Sequence, residues 1–345
     1  MRYRNIIANS SVYLRSFTIA VMLCMLPVSA AYSQLADTPA DSSKPSEERA
    51  LLVTQGLQDG GNPASTDTLL LEEESRIDPF RLGIVAGVAA SSLGMSYVFV
   101  QNQWWGGEKG KLHLDTGNDL IYAKNIDKAA HFFGGLIAAD LSYEALRWSG
   151  MTEEQALWYG AGFGTFVQIG IELKDGYSPR WGFSLVDVGT GTLGSLFPVA
   201  QYYVEPLQNI DIKFSYWQRT RKYFTEIKTD GNGTFNDDYI NQTYWASVKV
   251  NNFLPQSIEP YYPDWLAFAV GFGVDDKITG WTDESKEGYG EGNIELFLAL
   301  DVDITALFPS DSPFWESVKH YLNYIKFPAP AVRISPSVIW YGLYF

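Results

Sequence analysis

The chain has 345 residues with 40 acidic against 25 basic side chains, a formal net charge of −15. An excess of that sign argues against nucleic acid as a partner, because phosphate neutralisation needs clustered Lys and Arg. With 46% hydrophobic and 15% aromatic residues it is too apolar for a disordered chain, and its single cysteine rules out an intrachain disulfide.

Residues 1–33 read as a secretory signal peptide. Arg2, Arg4 and Arg15 give a positive start, Phe17 to Val28 an apolar run, and Ala31-Tyr32-Ser33 a small-x-small cleavage pattern. The run is too short to span a bilayer comfortably. Cys24 lies inside it behind Met22 and Leu23, so it lacks the small residues that precede a lipidated cysteine. Cleavage leaves a more acidic chain without cysteine, which suits an oxidising compartment. Residues 34–78, with Asp37-Thr38-Pro39 and Ser42-Ser43-Lys44-Pro45-Ser46, read as a disordered, solvated linker.

Residues 79–205 carry helical signals. The fold class expected is α+β: a Gly-rich four-helix bundle followed by an antiparallel β-rich region over residues 206–345. The first helix is expected over Leu82–Val100, nineteen residues without a charge, with Gly83, Gly87 and Gly94 near one face where a second backbone can approach. On length alone it can cross a bilayer. The second runs over Ile126–Trp148, stopped by Gly150. The third runs from Thr152, an N-cap followed by Glu153 and Glu154, to Leu173, with Gly160 and Gly164 at small-xxx-small spacing. The fourth covers Ser184–Val204, with Gly189, Gly191 and Gly194 and a kink expected at Pro198.

From Ile210 the period changes to two. Ile210 to Tyr216, Leu296 to Ile304 and Ile339 to Phe345 alternate as strands, and Trp265 to Val274 is a strand or a short buried helix. Asp230-Gly231-Asn232-Gly233 marks a turn, and Ser312–Ile325 a helix opened by Pro313. Five or six strands fall short of the eight or so of a small outer-membrane barrel. The alternating end at Phe345 therefore has two readings, a barrel-type last strand or a sheet strand with one buried face.

The densest polar set lies in the helical part: Asp127, Lys128 and His131; then Glu172 and Asp175; then Arg180 and Asp187. Thr165, Gln168 and Glu172 also share helical spacing. If the second, third and fourth helices pack antiparallel, these groups converge at one end. Several chemistries fit. A salt-bridge network fixing the bundle is one. His131, Glu172 and Asp187 offer N and O donors to a divalent metal, Arg180 and Lys128 suit a phosphate or headgroup, and His131 beside a carboxylate suits a general base. No serine has nucleophile-elbow context. No catalytic residue, metal or cofactor is assigned from the sequence, and His113 and His320 receive no role.

The segments Asp127-Lys128-Ala129-Ala130-His131-Phe132, Glu172-Leu173-Lys174-Asp175-Gly176 and Gly182-Phe183-Ser184, with Asp187 and Gly194, resemble the YfiM-like domain of unknown function. More distantly they resemble VanZ-like membrane proteins, with their Asp-Lys-x-x-His-Phe start, central Glu and later Arg, Asp and Gly. The resemblance covers residues 79–205. It implies an exported envelope protein, in the periplasm or at the outer membrane, with membrane or lipid and other envelope proteins as partners; it implies no established activity. The chain departs from that family in lacking a lipidation signal and in adding the β-rich half. The expected function is binding of lipid or another envelope component at the polar end, the alternative an envelope hydrolase with His131 as base.

Overall fold

The computed structural model describes residues 76–103, 109–115, 119–228, 233–278 and 290–345. The segment expected to direct export, nearly all of the expected linker and Asp230–Asn232 of the expected turn lie outside the described residues. Helices α1 (Pro79–Gln103), α2 (Ile126–Trp148), α3 (Glu153–Asp175) and α4 (Leu185–Tyr203) make the first half. The second half is a six-stranded antiparallel meander in the order β1 (Ile210–Tyr216), β2 (Gln242–Val248), β3 (Leu266–Val274), β4 (Ile294–Val302), β5 (Ala329–Ser335) and β6 (Ile339–Tyr344). Short helix α5 (Ile304–Leu307) and α6 (Pro313–Leu322) join β4 to β5. The α+β class therefore holds.

The helix boundaries follow local chemistry. The Thr152 hydroxyl accepts from Gln155 N at the start of α3, and Ser184 Oγ accepts from Asp187 N at 2.8 Å at the start of α4. Gly150, at φ +92°, ends α2 in a conformation that side-chain-bearing residues avoid. Pro198 lies within α4, which continues to Tyr203. The region expected to be strand or helix at Trp265–Val274 is strand.

Helices α2, α3 and α4 pack closely on one another, whereas α1 touches its neighbours only sparsely. A Cβ on Gly164 would sit 2.6 Å from Ser195 Oγ, and one on Gly160 2.6 Å from Ala139 O. A Cβ on Gly194 would collide with Phe132 O. Glycine at these positions is what allows the backbones to approach. Around Gly83, Gly87 and Gly94 of α1 nothing lies within 4 Å. The small-residue face expected to seat α1 in a bundle thus meets no helix among the described residues. Instead α1 is held at its ends: Asp78 N donates to Ser149 O, Arg81 lies over the Trp148 ring, and Lys174 reaches Tyr97 and Gln101. Its Pro79–Gln101 stretch has a mean hydropathy of 1.7 and is long enough to cross a membrane.

The inner side of the sheet buries charged groups within a hydrophobic cluster of Trp245, Ala269, Phe297, Ala299, Ala331 and Tyr344, and the outer side is apolar and exposed. Lys213, Glu295, Asp301 and Lys326 are fully or almost fully buried on its concave side, among Trp245, Phe297 and Tyr344. Lys213 Nζ lies 2.9 Å from Asp301, and Glu295 is gripped by Arg219 and Arg333. The sheet curls enough to bring Trp217, just after β1, within 5.2 Å of the Tyr344 ring on β6. On the convex side, cross-strand partners Phe268 with Leu300 and Val270 with Leu298 face outward, Val270 52% and Leu298 48% exposed. The row continues through Val332 to Trp340, which is 79% exposed. On β6 the side chain of Tyr344, not those of Leu343 and Phe345, is buried, because the β5–β6 register shifts between Ala329 and Ala331.

Phe133 of α2 joins the halves, meeting Phe214 of β1, Tyr244 of β2 and Tyr324 at ring distances of 5.8, 6.0 and 6.1 Å. So α2 covers the convex face at β1 and β2 and its start reaches Phe272 of β3, while among the described residues Phe268 and Val270 of β3, Leu298 and Leu300 of β4 and Trp340 of β6 remain exposed.

Candidate functional site

The polar residues of α2, α3 and α4 meet at one end of the three helices. The entry to α2 is strained: Ala123, Lys124 and Asn125 have φ of 44°, 55° and 66°, a left-handed run without glycine. That turn delivers Ile126, Asp127 and Lys128 into the interior, all three buried.

Lys128 is the hub. Its Nζ lies 2.5 Å from Asp119, 2.9 Å from Asp127 and 2.9 Å from Asp187. Burial acts to lower the ammonium, but Asp127 and Asp187, with hydrogen bonds to Asp119 and Asp187, outweigh it and hold the pKa above the ordinary lysine value. Asp127 moves the other way from a normal carboxylate. Burial, reinforced by Asp187 and only partly offset by Lys128, pushes it up to about 7.

Next to this hub, His131 Nδ1 lies 2.8 Å from Gln168 Oε1, and its Nε2 faces Glu172 Oε1 at 3.4 Å. Glu172 is almost fully buried; its other oxygen accepts from Ser184 N at 3.0 Å. Burial, with Asp175 and Asp187 adding to it, pushes the Glu172 carboxyl up to about 9. Ser184 Oγ donates to Asp119 while accepting from Asp187 N. One donor atom each from His131, Glu172 and Asp187 falls within 4.8 Å of the others.

Of the residues expected from sequence, Asp127, Lys128, His131, Glu172 and Asp187 come together. Asp175 stands at the edge, close enough to act on Glu172, and its carbonyl accepts from Ser178 and Gly182 in the following loop. Arg180 stacks on Trp181 at 4.1 Å in the loop before α4. Asp119 and Ser184 are members that sequence reasoning missed. Ser184 stood at the expected start of the fourth helix without a role, and nothing in a lone loop Asp signals a lysine partner nine residues later.

A second polar pair was also missed. His320 Nε2 lies 2.7 Å from Asp140 of α2, beside a small cavity lined by Leu136, Phe197, Gln201, Asp211 and Asn323. Burial disfavours the imidazolium, but the Asp140 hydrogen bond and the charges of Asp140, Glu144 and Asp211 outweigh it and raise the His320 pKa.

Comparison of the chain with protein-family models, with curated proteins and with solved structures finds no match.

Proposed function

We propose that this chain is an exported bacterial cell-envelope protein, attached to a membrane through α1 and the convex face of β3 to β6, that binds lipid or another envelope component at the polar end of α2, α3 and α4. The observation that carries the attachment is the inverted polarity of the sheet. Its concave side buries charged Lys213, Glu295, Asp301 and Lys326, while Phe268, Val270, Leu298, Leu300 and Trp340 face outward. Water as the only solvent would favour the opposite arrangement, since a contiguous bare apolar face is costly there; lipid makes it the stable one, as in the outward band of membrane sheets. The uncovered apolar α1 supports the same reading.

The resemblance of residues 79–205 to YfiM-like envelope proteins agrees with this placement, and the close approach at Gly160, Gly164 and Gly194 suits a bundle built on small residues. The hydrolase alternative has less support. Both ring nitrogens of His131 face Gln168 and Glu172, and among the described residues no hydroxyl or thiol is bonded to it.

Flotation of the purified chain with phosphatidylethanolamine–phosphatidylglycerol vesicles, followed by an alkaline carbonate wash, tests the attachment. Retention in the floated fraction is expected. Full release, or monodisperse solubility without detergent, would overturn it. For the polar end, native mass spectrometry after mild detergent extraction is expected to detect lipid-sized adducts that His131→Ala diminishes.

A further inference from the structure

We infer that His131, Glu172 and Asp187 form a binding site for a divalent transition-metal ion that accepts mixed imidazole and carboxylate ligands, of the Zn2+ or Mn2+ class. Three donor atoms from three different helices converge within 4.8 Å. Ligands held tetrahedrally about 2.1 Å from one ion lie roughly 3.4 Å apart. His131 Nε2 and Glu172 Oε1 stand at 3.4 Å, long for a hydrogen bond and right for two ligands of a shared ion.

The imidazole is prepared for that role. With Gln168 Oε1 as acceptor at 2.8 Å, the Nδ1–H is the donor, which leaves the Nε2 lone pair facing Glu172. Fixing the second ring nitrogen in this way is the usual support of a metal-bound histidine. Gln168 is itself buried and sits where only glycine fits opposite, at Gly191, so its orientation is locked by packing.

Charge balance gives an independent argument. Asp119, Asp127, Glu172 and Asp187 crowd one pocket in which Lys128 is the ammonium that pairs with them, and Glu172 makes no ion pair with it. Asp187 is 7% exposed, and among the described residues the cation beside its Oδ1 is Lys128, whose Nζ at 2.9 Å is shared with Asp119 and Asp127. Buried carboxylates left in excess of their cations are costly. A dication bound between Glu172 and Asp187 would remove that cost. One imidazole with two carboxylates suits Zn2+, Mn2+ or Fe2+ better than Ca2+, which takes oxygen alone.

The test uses the full chain in detergent, stripped with chelator and dialysed against Zn2+ or Mn2+, with bound metal counted by inductively coupled plasma mass spectrometry. About one ion per chain is expected. His131→Ala and Glu172→Gln should lose it, and Gln168→Leu, which keeps the volume but not the acceptor, should weaken it about 10- to 100-fold. His320→Ala, a change in the other histidine–aspartate pair, should retain it. Absence of stoichiometric metal in the wild type overturns the inference. So does retention by the His131 and Glu172 variants, or loss in His320→Ala alone. If circular dichroism finds the ligand variants unfolded, the decision passes to Mn2+-loaded wild type: pulsed electron paramagnetic resonance should detect coupling to one imidazole nitrogen, and its absence overturns the site. Metal uptake in detergent needs no bilayer, so its failure and the failure of membrane attachment are separate results.

Discussion

Replacing Lys128 by Met probes the cluster most sharply. The side chain is 9% exposed and its ammonium lies within 2.9 Å of three carboxylates, Asp119, Asp127 and Asp187. Methionine keeps most of the volume, so packing changes little and the loss is electrostatic. Removing one partner of a buried ion pair costs about 3–5 kcal/mol, because the remaining charge is left without compensation. Here three carboxylates lose one partner, but Asp127 can take up a proton near neutrality, since its pKa already stands at about 7. That relief keeps the expected loss within the same about 3–5 kcal/mol rather than a multiple of it. At roughly 2–4 °C per kcal/mol for a large domain, Tm should fall by about 6–20 °C. The assay is thermal unfolding of wild type and Lys128→Met in the same detergent, followed by circular dichroism. A Tm within about 2 °C of wild type would refute the reasoning, because it would mean that the ammonium is not the charge that balances the cluster.

Other substitutions separate packing from charge. Gly194→Ala drives a Cβ into Phe132 O and should cost about 1–3 kcal/mol by overpacking, whereas Gly87→Ala on α1, with nothing within 4 Å, should be neutral or stabilise by up to about 1 kcal/mol; urea titration in detergent compares the two. His320→Ala should matter in one direction of pH. A raised folded pKa means that the His320–Asp140 stabilisation is fully present below the unfolded value and is lost as pH rises through the folded one, so the Tm deficit of the variant should be larger at about pH 5.5 than at about pH 9. An equal deficit at both would mean that the imidazole serves by packing alone. Asp301→Ala, which leaves Lys213 buried without its 2.9 Å partner, should destabilise the sheet by about 3–5 kcal/mol, and a loss under about 1 kcal/mol would contradict a charged concave core.

The helices were legible because their ends are chemical: Thr152 as a cap and Gly150 as a stop are local signals that tertiary packing did not override. The convergence of Lys128, Glu172 and Asp187 was legible too, since antiparallel connections by short loops leave little choice. The role of α1 was not. A glycine stripe has the same spacing in α1 as in α3, and only the surroundings tell a helix-facing stripe from an uncovered one. Strands with period two were visible at Leu296–Val302, but alternation names two faces without saying which is inside. Here Phe297 and Asp301 are inside and Leu298 and Leu300 outside. Strand β2 was missed because its buried side holds Thr243, Trp245 and Ser247, a set without apolar alternation. Asp119 and His320 reach Lys128 and Asp140 only through the fold.

Membrane attachment through an inverted sheet is the central claim, and labelling of single introduced cysteines tests it most directly. The one native cysteine, Cys24, lies within residues 1–33, so a chain lacking them takes a spin label at a chosen site alone. With labels at Leu298 and Val270 of the convex face and at exposed Tyr261 as the aqueous reference, collisional accessibility is measured in vesicles. The account predicts high oxygen and low nickel-chelate accessibility at Leu298 and Val270, and the reverse at Tyr261. Nickel-chelate accessibility at Leu298 and Val270 equal to that at Tyr261 would place the convex face in water and contradict it.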